Sequence, residues 1–266
     1  MSSILEQIVA DKRKEVAERK ALFPVKLLEQ SPYFEGKVVS MSQYLKRPDK
    51  IGIIAEFKRQ SPSKGIINNQ AKVEKVSIGY MQAGVAGLSI LTDKKYFGGK
   101  SEDLTIARSY NFCPILRKDF IIDEYQLIES KSIGADLILL IAACLTPAEV
   151  KSLASKARSL GMEVLLEVHN EKELDKTLTD EVNIVGVNNR DLNTFVTNVM
   201  TSKKLVEKIP NKFLKISESG ISDPATVVDL KKAGFDGFLI GENFMKTTSP
   251  ERACRNFVKS IRELSR

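Results

Sequence analysis

The sequence is poor in the residues that build metal sites and disulfide frameworks. Its 266 residues include one histidine, His169, and three scattered cysteines, Cys113, Cys144 and Cys254, with no CxxC pair. Isolated cysteines in an odd number do not form a disulfide framework, and zinc sites need closely spaced Cys and His ligands. We therefore expect no metal site, and we interpret the cysteines as small buried or surface residues.

Long apolar runs are also absent. No stretch approaches the roughly 18 uninterrupted apolar residues that suggest a membrane-spanning helix. The first twenty residues, MSSILEQIVADKRKEVAERK, are charged and amphipathic, and no apolar core of a secretory signal follows a basic start. These absences predict a cytoplasmic protein with no membrane partner.

Positive charge is in excess but is not concentrated. The net charge is +7 and the pI is about 9.1, which permits anionic partners of several kinds. No block of five like charges occurs, and no motif interleaves basic with aromatic residues. We expect an anionic small molecule, and no nucleic acid, as the partner. A basic nucleic-acid-binding protein, with steeply salt-dependent affinity, is the alternative.

What the sequence does contain is a regular alternation of short apolar runs and amphipathic segments of helical length. The apolar runs are IGIIAEF, VAGLSIL, CPILRKDF, ADLILLI, EVLLEV, NIVGVN, FLKISES and FDGFLIG. Thr146-Pro147 and Asp223-Pro224 are typical helix starts, and Gly134 and Gly234 are placed to end helices before the next run.

Eight alternating units indicate an α/β protein with a parallel sheet, and their number and total length predict a (β/α)8 TIM barrel over residues 49–266. An open doubly wound sheet is the alternative. It usually has fewer strands and often a GxGxxG phosphate turn, which this sequence lacks.

Residues 1–48 precede the first apolar run and are predicted to form an N-terminal helical extension of the same single domain. Ser3 and Glu6 have the spacing of a capping box at a helix start. Ile4, Leu5 and Ile8 recur at helical spacing, so we expect this helix to pack on the barrel, with a Pro-containing connector after it.

Charged residues follow several of the predicted strands. The active site of a TIM barrel lies at the C-terminal ends of its strands, and strand residues two apart share a face. The polar residues predicted to point into the barrel mouth are Glu56 and Lys58 after the first run, Lys118, Glu167, Asn188, Arg190 and Glu218. Such convergence predicts a catalytic cluster. Arg117 and Asp119 have the opposite parity and should face the helices, and His169 is expected in a loop or at a helix cap.

Glycines follow the last two predicted strands, in ISESGIS and LIGEN. Backbone N–H groups at glycine-lined helix starts bind anions, and TIM barrels commonly hold phosphate after strands seven and eight. We therefore expect a substrate phosphate near Gly220 and Gly241. The polar, glycine-containing segment 59–69 is predicted to close over the substrate and to slow product release.

Eight segments together resemble the indole-3-glycerol phosphate synthase family across the whole chain. In order, these segments are AEFKRQSPSKG, SILTDKKYFGG, PILRKDFIID, ADLILLIAA, LLEVHN, VGVNNRDL, ISESGI and FLIGENFM. The resemblance implies ring closure, decarboxylation and dehydration of 1-(o-carboxyphenylamino)-1-deoxyribulose 5-phosphate to indole-3-glycerol phosphate, CO₂ and water. It also implies that the reaction needs no cofactor, that it belongs to tryptophan biosynthesis, and that the protein is a monomer or a weak homodimer.

The resemblance also implies roles for single residues. Lys118 would be the general acid that activates the substrate carbonyl, and Lys58 would hold the substrate carboxylate and deliver a proton during dehydration. Glu167 would be the general base. Glu56 and Asn188 would position the intermediate and the lysines, and Glu218 would face the substrate hydroxyls.

The remaining implied roles are in substrate binding. Phosphate and sugar contacts would come from Ser61, Arg190, Ser219, Gly220 and Gly241. The apolar slot for the anthranilate ring would be formed by Phe97, Phe120, Leu139 and Ile240. Glu242 stands where some family members have serine, so the backbone of that segment, not the Glu242 side chain, is expected to bind phosphate. A sugar-phosphate isomerase or a Schiff-base aldolase that uses Lys118 is the alternative among enzymes.

Overall fold

The computed structural model describes residues 3–192 and 194–265 and shows a closed barrel of eight parallel strands. Numbered along the chain, the elements are α1 (Ile4–Leu22), α2 (Val25–Leu28), α3 (Met41–Leu45), β1 (Ile53–Phe57), β2 (Gln60–Ser61), β3 (Gly65–Ile66), α4 (Val73–Gln82), β4 (Gly87–Leu91), α5 (Lys94–Phe97), α6 (Ser101–Tyr110), β5 (Ile115–Lys118), α7 (Glu124–Ser132), β6 (Leu137–Ile141), α8 (Pro147–Ser159), β7 (Glu163–Val168), α9 (Glu171–Thr177), β8 (Ile184–Asn188), α10 (Met200–Leu205), β9 (Leu214–Glu218), α11 (Pro224–Lys232), β10 (Gly237–Ile240), α12 (Glu242–Met245) and α13 (Pro250–Leu264). Single 3₁₀ turns follow β6 at Ala142–Cys144 and α10 at Val206–Lys208.

The barrel closes because β1 pairs in parallel with both β4 and β10, the latter with Ile54 opposite Leu239. The strand order around the barrel is β1, β10, β9, β8, β7, β6, β5, β4. The predicted TIM barrel is therefore confirmed, and the open doubly wound sheet is wrong. The short strands β2 and β3 form a separate antiparallel hairpin just after β1.

Alternation along the strands separates two apolar cores, as the parity argument predicts. Ile54, Leu116 and Leu165 belong to the cluster inside the barrel. Ala55 and Leu166 belong to the larger cluster between the strands and the surrounding helices. Gly134 and Gly234 have positive φ angles just after α7 and α11, which confirms their predicted place at helix ends.

The N-terminal end of the barrel is closed by α3, which lies in the segment predicted to be a Pro-containing connector. Met41 and Leu45 of this helix are buried in the inner cluster. Met41 lies against Gly87 at the start of β4, and Leu45 lies against Gly237 at the start of β10. Because a Cβ at either glycine would collide with these side chains, the two glycines let α3 approach the strand starts closely.

At the opposite end, α1 packs over the barrel mouth. The Ser3–Glu6 capping box is present, and Ile8 is buried with Ile4 and Leu5 packed beside it, as predicted. An ionic contact that the sequence did not predict holds α1 against the barrel. The Nζ atom of Lys12, a residue with 2% exposure, lies 2.9 Å from carboxylate oxygens of both Asp93 and Asp119.

Among the described residues, no helix combines the length and apolar character needed to cross a lipid bilayer.

Candidate active site

A cleft of about 560 Å³ opens at the C-terminal ends of the barrel strands. All the site residues expected from the sequence line this one cleft: Glu56, Lys58, Ser61, Phe97, Lys118, Phe120, Leu139, Glu167, Asn188, Arg190, Glu218, Ser219, Gly220, Ile240 and Gly241. They lie on the barrel strands or in the segments that follow them, so the barrel itself brings them together.

Lys118 lies at the centre of the charged groups. It ends β5, and its Nζ atom lies 2.7 Å from Oε2 of Glu167 on β7 and 3.4 Å from Oε2 of Glu218 on β9. The other oxygen of Glu167, Oε1, accepts a hydrogen bond from Nδ2 of Asn188 at 3.0 Å. The Oε1 atom of Glu218 is buried without a hydrogen-bond partner among the described residues.

These contacts push the proton affinities of the two carboxylates in opposite directions. Burial alone would raise the pKa of Glu167, but Lys118 and His169 lower it to about 2. Burial raises the pKa of Glu218 to about 7. Lys118 lowers this pKa, but the negative charges of Glu167 and Glu56 raise it and oppose that effect. Burial would lower the pKa of Lys118, but Glu167 and Glu218 hold it well above its usual range. In the free protein Lys118 is therefore a firmly protonated cation.

A second ion pair lies at the end of β1, where the Nζ atom of Lys58 is 2.7 Å from Oε1 of Glu56. Both side chains are mostly buried, with 17% and 5% exposure. Gly241 sits against this pair, and a Cβ at that position would collide with the Glu56 carboxylate. Glycine after β10 is therefore required for the close approach of Glu56, in addition to any part it has in binding.

Arg190 connects the end of β8 to the loops around the mouth. Its backbone N–H donates to Oδ1 of Asn188 at 3.0 Å, and its guanidinium hydrogen-bonds Ser63 in the β2–β3 hairpin. The same guanidinium lies 3.3 Å from the carboxylate of Glu242, the first residue of α12. Closure of segment 59–69 over a substrate stays a prediction.

The backbone after β9 is strained. Ser219 has a φ of 68° and Gly220 a φ of 73°. A left-handed conformation is unusual for serine, and such strain concentrates at functional sites. The Nδ2 group of Asn189 donates a 3.0 Å hydrogen bond to the carbonyl of Ser219 and supports the turn.

One wall of the cleft is apolar. Phe97 and Phe120 stack at a tilt with ring centroids 6.0 Å apart, and Leu139 belongs to the same inner cluster. Ile240 differs from its expected placement. It borders the cleft but packs in the outer cluster, whereas its neighbour Leu239 is the β10 residue of the inner cluster.

The structure confirms two predictions about polar residues outside the central cluster. Arg117 points to the helices and hydrogen-bonds Ser130 and the carbonyl of Gln126 on α7. His169 lies in the loop between β7 and the N-cap residue Asn170. In addition, its ring lies beside Glu167, with Nε2 3.5 Å from Oε1 of that residue.

The ionic group of Lys12, Asp93 and Asp119 was missed by sequence reasoning. Asp119 was predicted to face the helices with Arg117, but it borders the cleft directly after Lys118. Burial would raise its pKa, but Lys12 and Arg117 hold that pKa well below its usual range. Leu5 and Ile8 of α1 also line the cleft. Within the described ranges, no group of three or more His, Cys, Asp or Glu side chains is arranged to hold a metal ion.

Sequence comparison agrees with this geometry. The family model described as "Indole-3-glycerol phosphate synthase" matches residues 5–257. The chain belongs to the indole-3-glycerol phosphate synthase family. A protein of that name from Bacteroides thetaiotaomicron is 47% identical over 98% of this chain and 100% of its own length. Another, from Caldanaerobacter subterraneus subsp. tengcongensis, is 40% identical over 97% of this chain and 99% of its own length.

Solved structures with low identity support the barrel fold of this family member. One described as "Crystal structure of KGPDC from Streptococcus mutans" superposes with a TM-score of 0.60 at 14% identity, covering 81% of this chain and 99% of that one. Another, "Native KDPGal structure", has a TM-score of 0.57 at 13% identity, covering 83% and 95%.

The opposite pKa shifts of Glu167 and Glu218 predict opposite effects on stability. The pKa of Glu218 is raised above 4.5, so folding loses stability from this group as the pH rises from about 4.5 through about 7. Glu218→Gln should therefore shift the thermal unfolding midpoint, relative to the parent protein, more favourably at pH 8 than at pH 5. A change of about 1 kcal/mol in the free energy of unfolding shifts the midpoint by about 2–4 °C in a protein of about this size.

Glu167→Gln is the matched control for this stability experiment. The pKa of Glu167 is lowered from 4.5 to about 2, so its stabilising effect is present above about pH 4.5 and is lost as the pH falls through about 2. This variant should be destabilised relative to the parent at both pH 5 and pH 8. The explanation fails if the unfolding midpoints of both variants, each relative to the parent, rise together or fall together between pH 5 and pH 8.

Proposed function

We propose that the protein is an indole-3-glycerol phosphate synthase in which Lys118 is the general acid and Glu167 the general base. The family relationship makes it a carboxy-lyase of tryptophan biosynthesis that acts on a small phosphorylated substrate. The observation that carries the proposed roles is the contact of one buried ammonium, on Lys118, with two carboxylates from other strands at the barrel mouth.

The first chemical step needs an acid at a carbonyl oxygen. The ring carbon that bears the carboxylate attacks the ketone carbon of the deoxyribulose chain, and the carbonyl oxygen gains negative charge. A cation fixed in a water-poor cleft stabilises that charge and can transfer a proton to it. Lys118 has this character because its side chain is only 14% exposed. CO₂ then leaves, and its bonding electrons return to the ring.

The later steps need a second acid and a base. The hydroxyl that was the carbonyl oxygen leaves as water after taking a proton, and we infer that Lys58, which also lines the cleft, donates it. Glu167 accepts the proton lost as the five-membered ring becomes aromatic.

The same electrostatics argue against a Schiff-base aldolase. Imine formation begins with attack by a neutral amine. Glu167 and Glu218 keep the pKa of Lys118 above its usual range, which disfavours the neutral form in the free protein. A buried lysine used as a nucleophile would have a lowered pKa, because burial or a neighbouring cation would disfavour its charge.

Substrate binding is proposed to use the polar and apolar sides of the cleft separately. The phosphate would meet Ser61, the turn at Ser219–Gly220, and the first amides of α12 after Gly241, which have no partner within the helix. It would also take over the Arg190 guanidinium that Glu242 holds in the free protein. The anthranilate ring would lie against Phe97, Phe120 and Leu139, with Ile240 at the border.

The unoccupied acceptor on Glu218 suits a substrate rich in hydroxyls. Its Oε1 atom is buried and lacks a hydrogen-bond partner among the described residues, and such an atom is stabilised when a donor reaches it. We infer that Glu218 contacts the glycerol hydroxyls, and that Glu56 and Asn188 position Lys58 and Glu167. We also infer a cytoplasmic monomer or weak homodimer that binds no nucleic acid.

A fluorescence assay tests this function directly. The protein contains no tryptophan, so an indole signal that appears with the anilino-deoxyribulose phosphate substrate comes from the product alone. We expect a steady rise with the parent protein and a loss of at least about 10²-fold in kcat with Glu167→Gln. A flat trace from folded parent protein would refute the function, and full activity of Glu167→Gln would refute only the assigned base.

A further inference from the structure

The imidazole of His169 lies between two carboxylates. Its Nδ1 atom is 3.1 Å from Oε2 of Glu173 on α9, and its Nε2 atom is 3.5 Å from Oε1 of Glu167 on β7. The ring is 11% exposed, and Nε2 is buried without a hydrogen-bond partner among the described residues. A buried ring nitrogen aimed at the proposed catalytic base therefore needs a physical explanation.

Glu173 is held rigidly in place to orient this ring. Its Oε2 atom also accepts the backbone N–H of His169 at 2.8 Å, and its Oε1 atom accepts Nδ2 of Asn170 at 2.8 Å. Asn170 in turn caps α9 by accepting the backbone N–H of Glu173 at 3.0 Å. These local bonds fix the Glu173 carboxylate against Nδ1 of the imidazole.

The partner on Nδ1 determines what Nε2 can do. An ionised carboxylate only accepts hydrogen bonds, so Nδ1 must carry a hydrogen to bond Glu173. In the neutral ring Nε2 would then be bare, and its lone pair would face the Glu167 carboxylate unfavourably. In the protonated ring Nε2 carries a hydrogen and attracts Glu167.

The surrounding charges favour the protonated ring. Burial would lower the pKa of His169, but the bond to Glu173 and the charges of Glu167, Glu173 and Glu218 raise it. Lys118 is a cation on the other side of Glu167, bonded to Oε2. The thiol of Cys144, in the turn after β6, lies close enough to feel both Glu167 and Glu173, and burial raises its pKa to about 12, so it stays neutral.

We propose that His169 is a positioning residue, whose protonated imidazole attracts Oε1 of Glu167 across the 3.5 Å from Nε2 and thereby leaves Oε2 as the oxygen that accepts the substrate proton. Oε1 then has the His169 cation on one side and a hydrogen bond from Asn188 on the other. Oε2 becomes free when Lys118 turns toward the substrate carbonyl. This inference rests on the proposed role of Glu167 as general base.

His169→Phe tests the proposal because phenylalanine keeps a planar ring and removes both N–H donors. We expect kcat to fall about ten-fold with KM within about two-fold of the parent, since a misplaced base slows chemistry more than binding. The acidic limb of the kcat–pH profile should move to higher pH, because Glu167 loses a neighbouring cation. His169→Gln, which restores one N–H donor, should recover part of kcat.

A double-variant cycle separates positioning from general loss of structure. With Glu167→Gln as background, His169→Phe should have no further effect on kcat. With Glu173→Gln as background, His169→Phe should lower kcat by a smaller factor than it does in the parent protein, because Glu173 acts through His169.

Two results would overturn the inference while leaving the proposed function standing. One is a His169→Phe variant with the parent's kcat and pH profile, measured under conditions where Glu167→Gln lowers kcat by at least about 10²-fold. The other is a lowered kcat with an unmoved pH profile and an equal loss in the Glu167→Gln background, which would indicate a packing role only. Full turnover of Glu167→Gln alone would instead refute the base itself.

Discussion

Lys118→Met is expected to lower kcat by about 10³-fold, within the range that a general acid contributes. The Nζ atom of Lys118 bonds Glu167 at 2.7 Å and lies 3.4 Å from Glu218, so its removal also leaves two buried carboxylates without this cation. The pKa of Glu167 then rises, and a larger fraction of Glu167 is already protonated and unable to accept the substrate proton. Turnover is measured from product fluorescence, and the fold is checked by circular dichroism.

Lys215→Met is the matched control for this variant. Lys215 is also a buried lysine on a barrel strand, but it bonds the carbonyl of Val206 and the side chain of Asn211 outside the cleft. Its replacement should lower stability and leave kcat near the parent value below the unfolding temperature. The acid role of Lys118 is contradicted if its methionine variant is folded and retains turnover within about ten-fold of the parent.

Lys12→Met is expected to lower the free energy of unfolding by about 3–5 kcal/mol, because it leaves buried carboxylates without their cation. Lys12 has 2% exposure and contacts Asp93 and Asp119, whose side chains are 2% and 1% exposed. Asp119 keeps its contact with Arg117, but Asp93 loses its only cation among the described residues. Urea unfolding monitored by circular dichroism measures the change.

Lys20→Met on the same helix provides the comparison. Lys20 pairs with Asp123 at 2.7 Å, but the two side chains are 46% and 35% exposed. Exposed pairs of this kind contribute about 0–1 kcal/mol, so the identical substitution should have a small effect there. Equal losses of unfolding free energy in the two variants would show that the loss comes from a weakened helix α1 and not from buried carboxylates without their cation.

Local pattern accounts for most of what the sequence predicted. Alternation along a strand is strict, so Glu56, Lys118 and Glu167 could be assigned to the inside of the barrel from parity alone. The family resemblance, not parity, placed Ile240 in the apolar slot. Alternation holds along β10, where Leu239 packs in the inner cluster and Phe238 and Ile240 pack in the outer cluster.

Contacts between distant segments of the chain could not be predicted from local sequence pattern. Lys12 looks like any charged residue of an amphipathic helix, and only the docking of α1 brings it to Asp93 and Asp119. Met41 likewise lies in a five-residue helix with little periodicity, and its burial depends on glycines at the strand starts. The sequence indicates which helix each of these residues belongs to, but no local pattern in it indicates which distant segment that helix contacts.

The placement of Lys12 has a consequence for the order in which the chain assembles during synthesis. Helix α1 leaves the ribosome before any strand of the barrel, yet its ionic partner Asp119 follows β5, and β1 must wait for β10, the last strand of the barrel. Early segments therefore spend seconds without their final partners at ribosomal speeds of about 5–20 residues per second. The helix that forms one wall of the mature cleft is thus expected to dock late, after the strands that carry Lys118 and Asp119 have been made.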